Sequence, residues 1–278
     1  MTDELVTKPK RPLAKRIFRW VIFMGIAAVV VVFGVYLWSP WQFDWIKRKL
    51  PPAAPLMTIP PEIFGKGSKI AIVTAHPDDA EFYCAGSLKK WGDAGADIQL
   101  IVLTDGDKAY YLFEDYKRNR AIRQKEQNQA AQIWHGRPPI YLGFADGRTE
   151  VGEPEIRAIQ RELERFNPSA ILFFDHEYPP RLSHGDHRHA GECTAEAIKR
   201  MQWKGWMMRF STQSPTYISD ISDLWDEKVS LVKVHDSQFG NPAKGRVFDM
   251  IRSQAERDGK VGGFTLGEGF RAEFSPGK

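Results

Sequence analysis

Two short clusters carry the residue types that do chemistry in this chain: His76-Pro77-Asp78-Asp79 and His184-Gly185-Asp186-His187. His76 and Asp79 lie three residues apart on a turn entering a helix, so both can face one ion, and Pro77 stiffens that turn by fixing a backbone dihedral. His184 and His187 repeat the same spacing at the start of a second predicted helix. Two imidazoles and one carboxylate drawn from these clusters make a three-ligand site with a position open for water, the pattern of a catalytic rather than a structural zinc. Asp78 cannot easily share the direction of Asp79, which leaves it beside the metal as a general base. One of His184 and His187 ligates while the other faces the substrate, and Asp186 can hold an imidazole by its second nitrogen. Alone, the first cluster reads as an aspartate-capped turn and the second as a solvated loop. Together, each at a strand-to-helix junction, they read as one site.

Positioning these clusters requires strands that end where they begin. Runs at 69–75, 98–104, 139–143, 169–174 and 206–212 read as strands, and 84–94, 115–134, 153–166 and 189–202 as helices between them. This alternation predicts an α/β fold, a mostly parallel sheet with helices on both faces. Patterns near 224–236 and 244–258 are less regular. No GxGxxG or GxxxxGK[ST] motif occurs, so no nucleotide site is expected. Cys84 and Cys193 have no CxxC partner and read as small packed residues, with a disulfide between them left open. His135, His176 and His189 read as structural. Trp203, Trp206, Met207, Met208 and Phe210 read as core of the last strand.

The 278 residues carry 39 basic and 35 acidic side chains. The first 40 residues hold six of the basic and two of the acidic groups, so the remainder is electrically balanced and no nucleic-acid-binding face is expected. Residues 21–38 are an unbroken apolar run, flanked by Trp20 on one side and by Trp38, Trp41 and Trp45 on the other. That suits one N-terminal transmembrane helix, whereas the bulky Leu37-Trp38-Ser39-Pro40-Trp41 segment does not suit signal-peptide cleavage. The expected organisation is a basic cytoplasmic tail (1–16), a transmembrane anchor (17–40), a Pro-rich juxtamembrane linker (41–66) and a catalytic domain (67–278). The surplus of basic residues before the span puts the N-terminus in the cytoplasm and the domain outside it, on the periplasmic side of an inner membrane.

Further motifs follow in order: Gly86-Ser87-Leu88, Leu103-Thr104-Asp105-Gly106, Arg123 with Glu126, Leu142-Gly143-Phe144-Ala145-Asp146-Gly147, His235-Asp236-Ser237-Gln238 and Glu268-Gly269-Phe270. With the two clusters they resemble the LmbE-like, PIG-L-type N-acetylglucosamine deacetylases over residues 68–274. The resemblance implies a Rossmann-like fold and one Zn2+ per chain held by His76, Asp79 and His187, with another divalent metal such as Fe2+ left open. It implies Asp78 as general base, His184 as a protonated electrostatic or general-acid group, Asp186 tuning His184, and Arg123 and Asp146 binding sugar. The implied partner is an N-acetylated amino sugar, expected in a lipid-linked or envelope glycan given the anchor. Two positions depart from the family pattern: Leu182 stands where some members carry tyrosine, and Ala80 stands where a glutamate usually follows the first cluster, with Glu81 next.

Ala109-Tyr110-Tyr111-Leu112-Phe113 reads either as a lid over the substrate or as a hydrophobic staple. Competing functions are a zinc amidase acting on another amide, a non-catalytic glycan-binding module held at the membrane, and a non-haem Fe(II) oxygenase, whose triad uses the same donors but usually sits on a β-barrel.

Overall fold

Near-continuous apolar runs, the mark of strands buried on both faces, build the centre of the computed structural model. It describes residues 13–38, 54–108, 116–180, 183–240 and 245–277. The strands are β1 (Lys69–Thr74), β2 (Asp97–Thr104), β3 (Ile140–Phe144), β4 (Ala170–Phe174), β5 (Lys204–Phe210), β6 (Tyr217–Asp220) and β7 (Gly267–Pro276). They form one sheet in the order β3-β2-β1-β4-β5-β7-β6. The first five pair in parallel, with Ile70 opposite both Ile98 and Ala170. β7 runs antiparallel to both neighbours, placing Met208 opposite Ala272 and Tyr217 opposite Phe270. The sheet is therefore mixed, and its antiparallel pair β6 and β7 falls where the sequence pattern gave no strand.

The helices of this unit are α2 (Asp79–Asp93), α3 (Tyr116–Ile133), α4 (Glu153–Phe166), α5 (Gly185–Met201), α6 (Trp225–Val234), α7 (Asp236–Phe239) and α8 (Gly245–Gly262). α4 shows why such segments are helical: Ile156, Ile159, Leu163 and Phe166 recur at helical spacing and are all buried, while its outer face is charged. Strand order reverses between β1 and β4, so right-handed crossovers put α2 and α3 on one sheet face and α4 and α5 on the other. That separation explains why Cys84, on α2, and Cys193, on α5, are both buried free thiols rather than a disulfide. Met207, Met208 and Phe210 are buried in the core.

Part of the expected linker belongs to the domain. Met57 donates its amide to Thr216 O at 2.7 Å. Ile59 and Phe64 are buried, and Phe64 stacks on Trp91 with ring centroids 4.4 Å apart. Burying a phenylalanine contributes about 1.5–3 kcal/mol, enough to fix this end of the segment.

α2 carries an insertion in its hydrogen-bond ladder. The amides of Gly86 and Ser87 are gripped by the two carboxylate oxygens of Glu268 at 3.0 and 2.8 Å. Lys228 donates to Glu268 at 2.6 Å and to Phe82 O at 3.0 Å, the carbonyl Gly86 would use in a regular helix. Gly86 must be glycine here, because a Cβ would lie 2.6 Å from the Ile221 side chain.

The chain divides into two units, Met1–Gln42 and Phe43–Lys278. In the first, Leu13–Trp38 form one helix, α1, whose described large apolar side chains are exposed, Phe18 and Val29 each at 67%. The membrane-spanning helix expected over 17–40 is not reproduced: among the described residues no helix is long and apolar enough to cross a membrane.

Candidate metal centre and active site

The carboxyl ends of β1 and β4, on either side of the point where strand order reverses, are where α/β sheets open a crevice. Both clusters lie there. Asp79, the first residue of α2, accepts the amides of Ala75 and His76 with Oδ2 at 3.1 and 2.8 Å. Its Oδ1 lies 3.1 Å from His187 Nε2 and its Oδ2 lies 3.6 Å from His76 Nδ1. The rings of His76, His184 and His187 are mutually 5.0–5.3 Å apart. Phe174, the last residue of β4, stacks flat on His187 at 4.2 Å, and Tyr83 meets the same ring edge-on at 6.2 Å. The orientation of His187 is thus set by packing.

Two carboxylates approach the other side of His76. Asp146 Oδ1 and Asp186 Oδ2 each lie 3.2 Å from its Nε2. Asp146 also accepts the Lys108 amide at 2.9 Å. Asp186 accepts the Gly147 amide and the Thr149 hydroxyl, both at 2.7 Å. Burial disfavours charge on His76, yet hydrogen bonds to Asp146, Asp186 and Asp79 outweigh it and hold the imidazole well above its usual range. Burial alone would raise Asp79, but His187 and His76 hold it well below the ordinary carboxylate range.

Three carboxylates converging on one histidine is a donor set that asks for a cation. Tetrahedral zinc with bonds of about 2.1 Å separates its ligand atoms by about 3.4 Å, close to the two spacings across Asp79. Proximity alone picks out two groups, His76-His184-His187 and His76-Asp146-Asp186, each with ligand atoms within 4.8 Å of one another. Asp79 is absent from both, although it is the residue that touches two of the histidines. His76, Asp79 and His187 therefore form a third candidate set beside these two, and Asp79, Asp146 and Asp186 each also accept at least one backbone amide.

Asp78 is the N-cap of α2, but its side chain makes no capping bond. Its backbone sits at φ 100°, ψ −25°, a region costing a non-glycine residue on the order of 1–3 kcal/mol and kept only where surroundings impose it. Arg123 Nη2 donates to its Oδ2 at 3.0 Å and also to Pro77 O, while Nη1 donates to Gly106 O at 2.6 Å. Gly106 has φ 62°, and a Cβ there would strike the guanidinium at 2.3 Å. Burial pushes the Asp78 carboxyl up, against the opposing pull of Arg123.

The contacts of the other expected site residues are as follows. Arg123, expected to bind sugar, is buried, and its terminal nitrogens donate to Asp78 and to two carbonyls of the surrounding turns. Asp146 lies against His76 inside the metal cluster, because the loop after β3 folds back over β1. Asp186 does not grip the second nitrogen of His184. Its own amide donates to His184 Nδ1 at 3.0 Å, since His184 is the N-cap of α5. That bond leaves the ring proton on Nε2. Burial, with repulsion from His76 and His187, holds His184 down to about 3, which favours the neutral ring over the protonated one.

Behind Asp78 lies a network that motif reading left without a role. The Asp78 amide donates to Gln127 Oε1 at 2.9 Å. Gln127 Nε2 and Trp134 Nε1 donate to Glu81 Oε1 at 2.9 and 2.7 Å, and His235 Nε2 lies 2.9 Å from Glu81 Oε2. Two spacings could have found it: Glu81 is three residues past Asp78, the capping-box interval, and Gln127 is one helical turn past Arg123. His189 bonds Thr149 through Nδ1 at 3.2 Å, and exposed His135 pairs with Asp93 at 3.1 Å. Leu182 and Ala109-Tyr110-Tyr111-Leu112-Phe113 lie outside the described residues.

Beside Tyr83, a cavity of about 330 Å³ opens between α2, α8 and β7, with Phe82, Pro180, Met250 and Ile251 among its walls.

The chain is similar to several known proteins. Residues 71–198 match the family model described as PIG-L, GlcNAc-PI de-N-acetylase. Diacetylchitobiose deacetylase of Thermococcus kodakarensis is 29% identical over 240 residues, covering 78% of this chain and 86% of that protein. A probable N-acetyl-alpha-D-glucosaminyl L-malate deacetylase 2 of Bacillus anthracis is 26% identical, covering 67% of this chain and 77% of its own length. The solved N,N'-diacetylchitobiose deacetylase of Pyrococcus horikoshii superimposes with a TM-score of 0.71 at 25% identity, over 74% of this chain and 84% of that one. Two clusters meeting at the sheet's crevice, the strand order around them and these matches agree: residues 71–198 form a PIG-L (LmbE-like) domain.

Proposed function

We propose that the chain is a zinc-dependent N-deacetylase acting on an N-acetylglucosaminyl substrate. Its relatives are deacetylases of N-acetylated amino sugars, which supports hydrolysis of an acetamide here. The observation that carries the reading is Asp79 lying between His76 and His187 with Asp78 held at its side. His76, Asp79 and His187 would hold the metal. Bound there, zinc supplies a polarised water whose pKa falls to about 7, and a Lewis acid for the carbonyl.

The chain's own residues do the rest. Asp78, held up by burial, accepts the proton of the attacking water and delivers it to the departing amine nitrogen. Arg123 keeps that carboxylate aimed while sparing it full charge desolvation. His184 presents Nε2–H as a neutral donor toward the carbonyl oxygen as that atom gains charge, a contribution of about 10²–10³-fold for one well-placed donor. Asp146 and Asp186 hold His76 from behind. The products are acetate and a free amino sugar.

A membrane setting fits the apolar run at 21–38 and its tryptophan flanks. With the N-terminus in the cytoplasm, the domain would face the opposite side and meet lipid-linked or envelope glycans. The apolar wall beside Tyr83 suits the non-sugar part of such a substrate. The deciding experiment measures acetate release from free, nucleotide-linked, lipid-linked and polymeric GlcNAc, before and after chelation and zinc add-back. Release that chelation abolishes and zinc restores is expected; release indifferent to chelation refutes the metal, and none from any substrate refutes the activity. Protease added to cells whose outer membrane has been permeabilised should cut the domain if it lies outside the cytoplasm, and cleavage only after the inner membrane is lysed refutes that placement.

A further inference from the structure

We propose that Glu81, Gln127 and His235 form a positioning unit that fixes the backbone of Asp78 and thereby aims its carboxylate at the site. The inference rests on the reading of Asp78 as general base. Asp78 and Glu81 occupy the N-cap and third positions of α2. In a capping box a glutamate at that third position reaches back to the N-cap amide itself. Here a glutamine from α3 stands between the two. Gln127 accepts the Asp78 amide with Oε1 and donates its Nε2 to Glu81.

A primary amide has a donor end and an acceptor end. As long as the Glu81 carboxylate claims the donors of Gln127, the carbonyl must face Asp78. Glu81 is held by two further donors from separate elements, Trp134 at the end of α3 and His235 at the junction of α6 and α7. Glu81, Gln127 and His235 are all fully buried, so water cannot replace any of these bonds. Among the described residues the Nδ1 atom of His235 has no partner, which leaves the Glu81 contact as the polar purpose of its ring. Arg123 and Gln127, one turn apart on α3, then act as two jaws: one takes the carboxylate of Asp78, the other its amide. A left-handed aspartate is kept by imposing bonds at both ends.

Glu81→Gln removes the charge that orients Gln127. Expected is a fall in kcat of about 10- to 100-fold, as for other supporting residues, with KM and zinc content little changed. In the metal-free protein the Asp78 amide proton should exchange faster, a readout independent of catalysis. Glu81→Gln combined with Gln127→Glu moves the carboxylate one residue along the chain of bonds, restores an acceptor for the Asp78 amide, and should recover most of both losses. A folded double variant as impaired as the single, or unchanged Asp78 amide exchange in Glu81→Gln, overturns the proposal. Should Glu81→Gln not fold, Gln127→Met removes the same bonds without moving charge; wild-type exchange and kcat in that variant overturn it equally. Asp78→Asn tests the base itself: retained activity there refutes the base role, while the amide exchange still judges the positioning unit.

Discussion

Arg123→Met tests whether the site depends on a buried counter-charge. The guanidinium lies 3.0 Å from Asp78 Oδ2, with side-chain exposures of 4% and 15%. At an effective dielectric of about 20, that separation gives an attraction of about 5 kcal/mol. Desolvation offsets part of it in the intact protein, but removing one partner strands the other, and such losses run to about 3–5 kcal/mol. The sign with pH is fixed. Burial already raises Asp78 in the folded protein, and losing Arg123 raises it further. A carboxylate whose folded pKa lies above its unfolded value of about 3.9 costs stability only once it ionises. The difference between variant and parent should therefore be largest near pH 8 and shrink steadily toward pH 4. What remains there reports the lost bonds to Gly106 O and Pro77 O. Urea unfolding of both proteins in chelator across that range measures it. A difference constant with pH would refute the counter-charge argument and leave Arg123 as a backbone clamp alone. In the zinc-loaded enzyme the acidic limb of kcat/KM should move to higher pH.

Burial pushes Asp258, on α8, up to about 6, so its ionisation opposes folding above that pH. Asp258→Asn keeps an acceptor for the Gly269 amide and should stabilise the protein at pH 8 by at most about 3 kcal/mol, with no gain at pH 4; destabilisation at pH 8 refutes it. His184, held down to about 3, should show a flat imidazole Cε1 proton shift between pH 5 and 8 in the metal-free protein, and a midpoint near its ordinary value would refute the neutral-donor role. Its effect on stability is present above the unfolded value and is lost as pH falls below it, because the unfolded chain gains a proton the folded one refuses.

The parallel core was readable because doubly buried strands spell themselves out as apolar runs. β1 and β4 therefore located both clusters, and His76, Asp79 and His187 do meet. β6 and β7 were missed because glycines at 267 and 269 interrupt the strand pattern and their pairing is antiparallel and distant in the chain. The burial of Asp146 and Arg123 was not legible, because motif order says nothing of depth. A loop folding back over the sheet and a helix face turned inward are tertiary facts. For His184 the local rule that won was helix capping: the residue before Gly185 became an N-cap, and its Nδ1 was taken by the amide two residues on.

The ion pair threaded through α2 ties the turn before it to segments some 140 to 180 residues further along the chain. Glu268 and Lys228 come from segments synthesised long after His76, and His235 likewise reaches back to Glu81. A ribosome-bound chain that has released only residues 71–198 would own every metal donor yet lack the struts that hold α2 and Asp78. Deacetylase activity should accordingly appear only once residue 268 has been made, and a premature stop before it should leave an inert protein although both histidine clusters are intact.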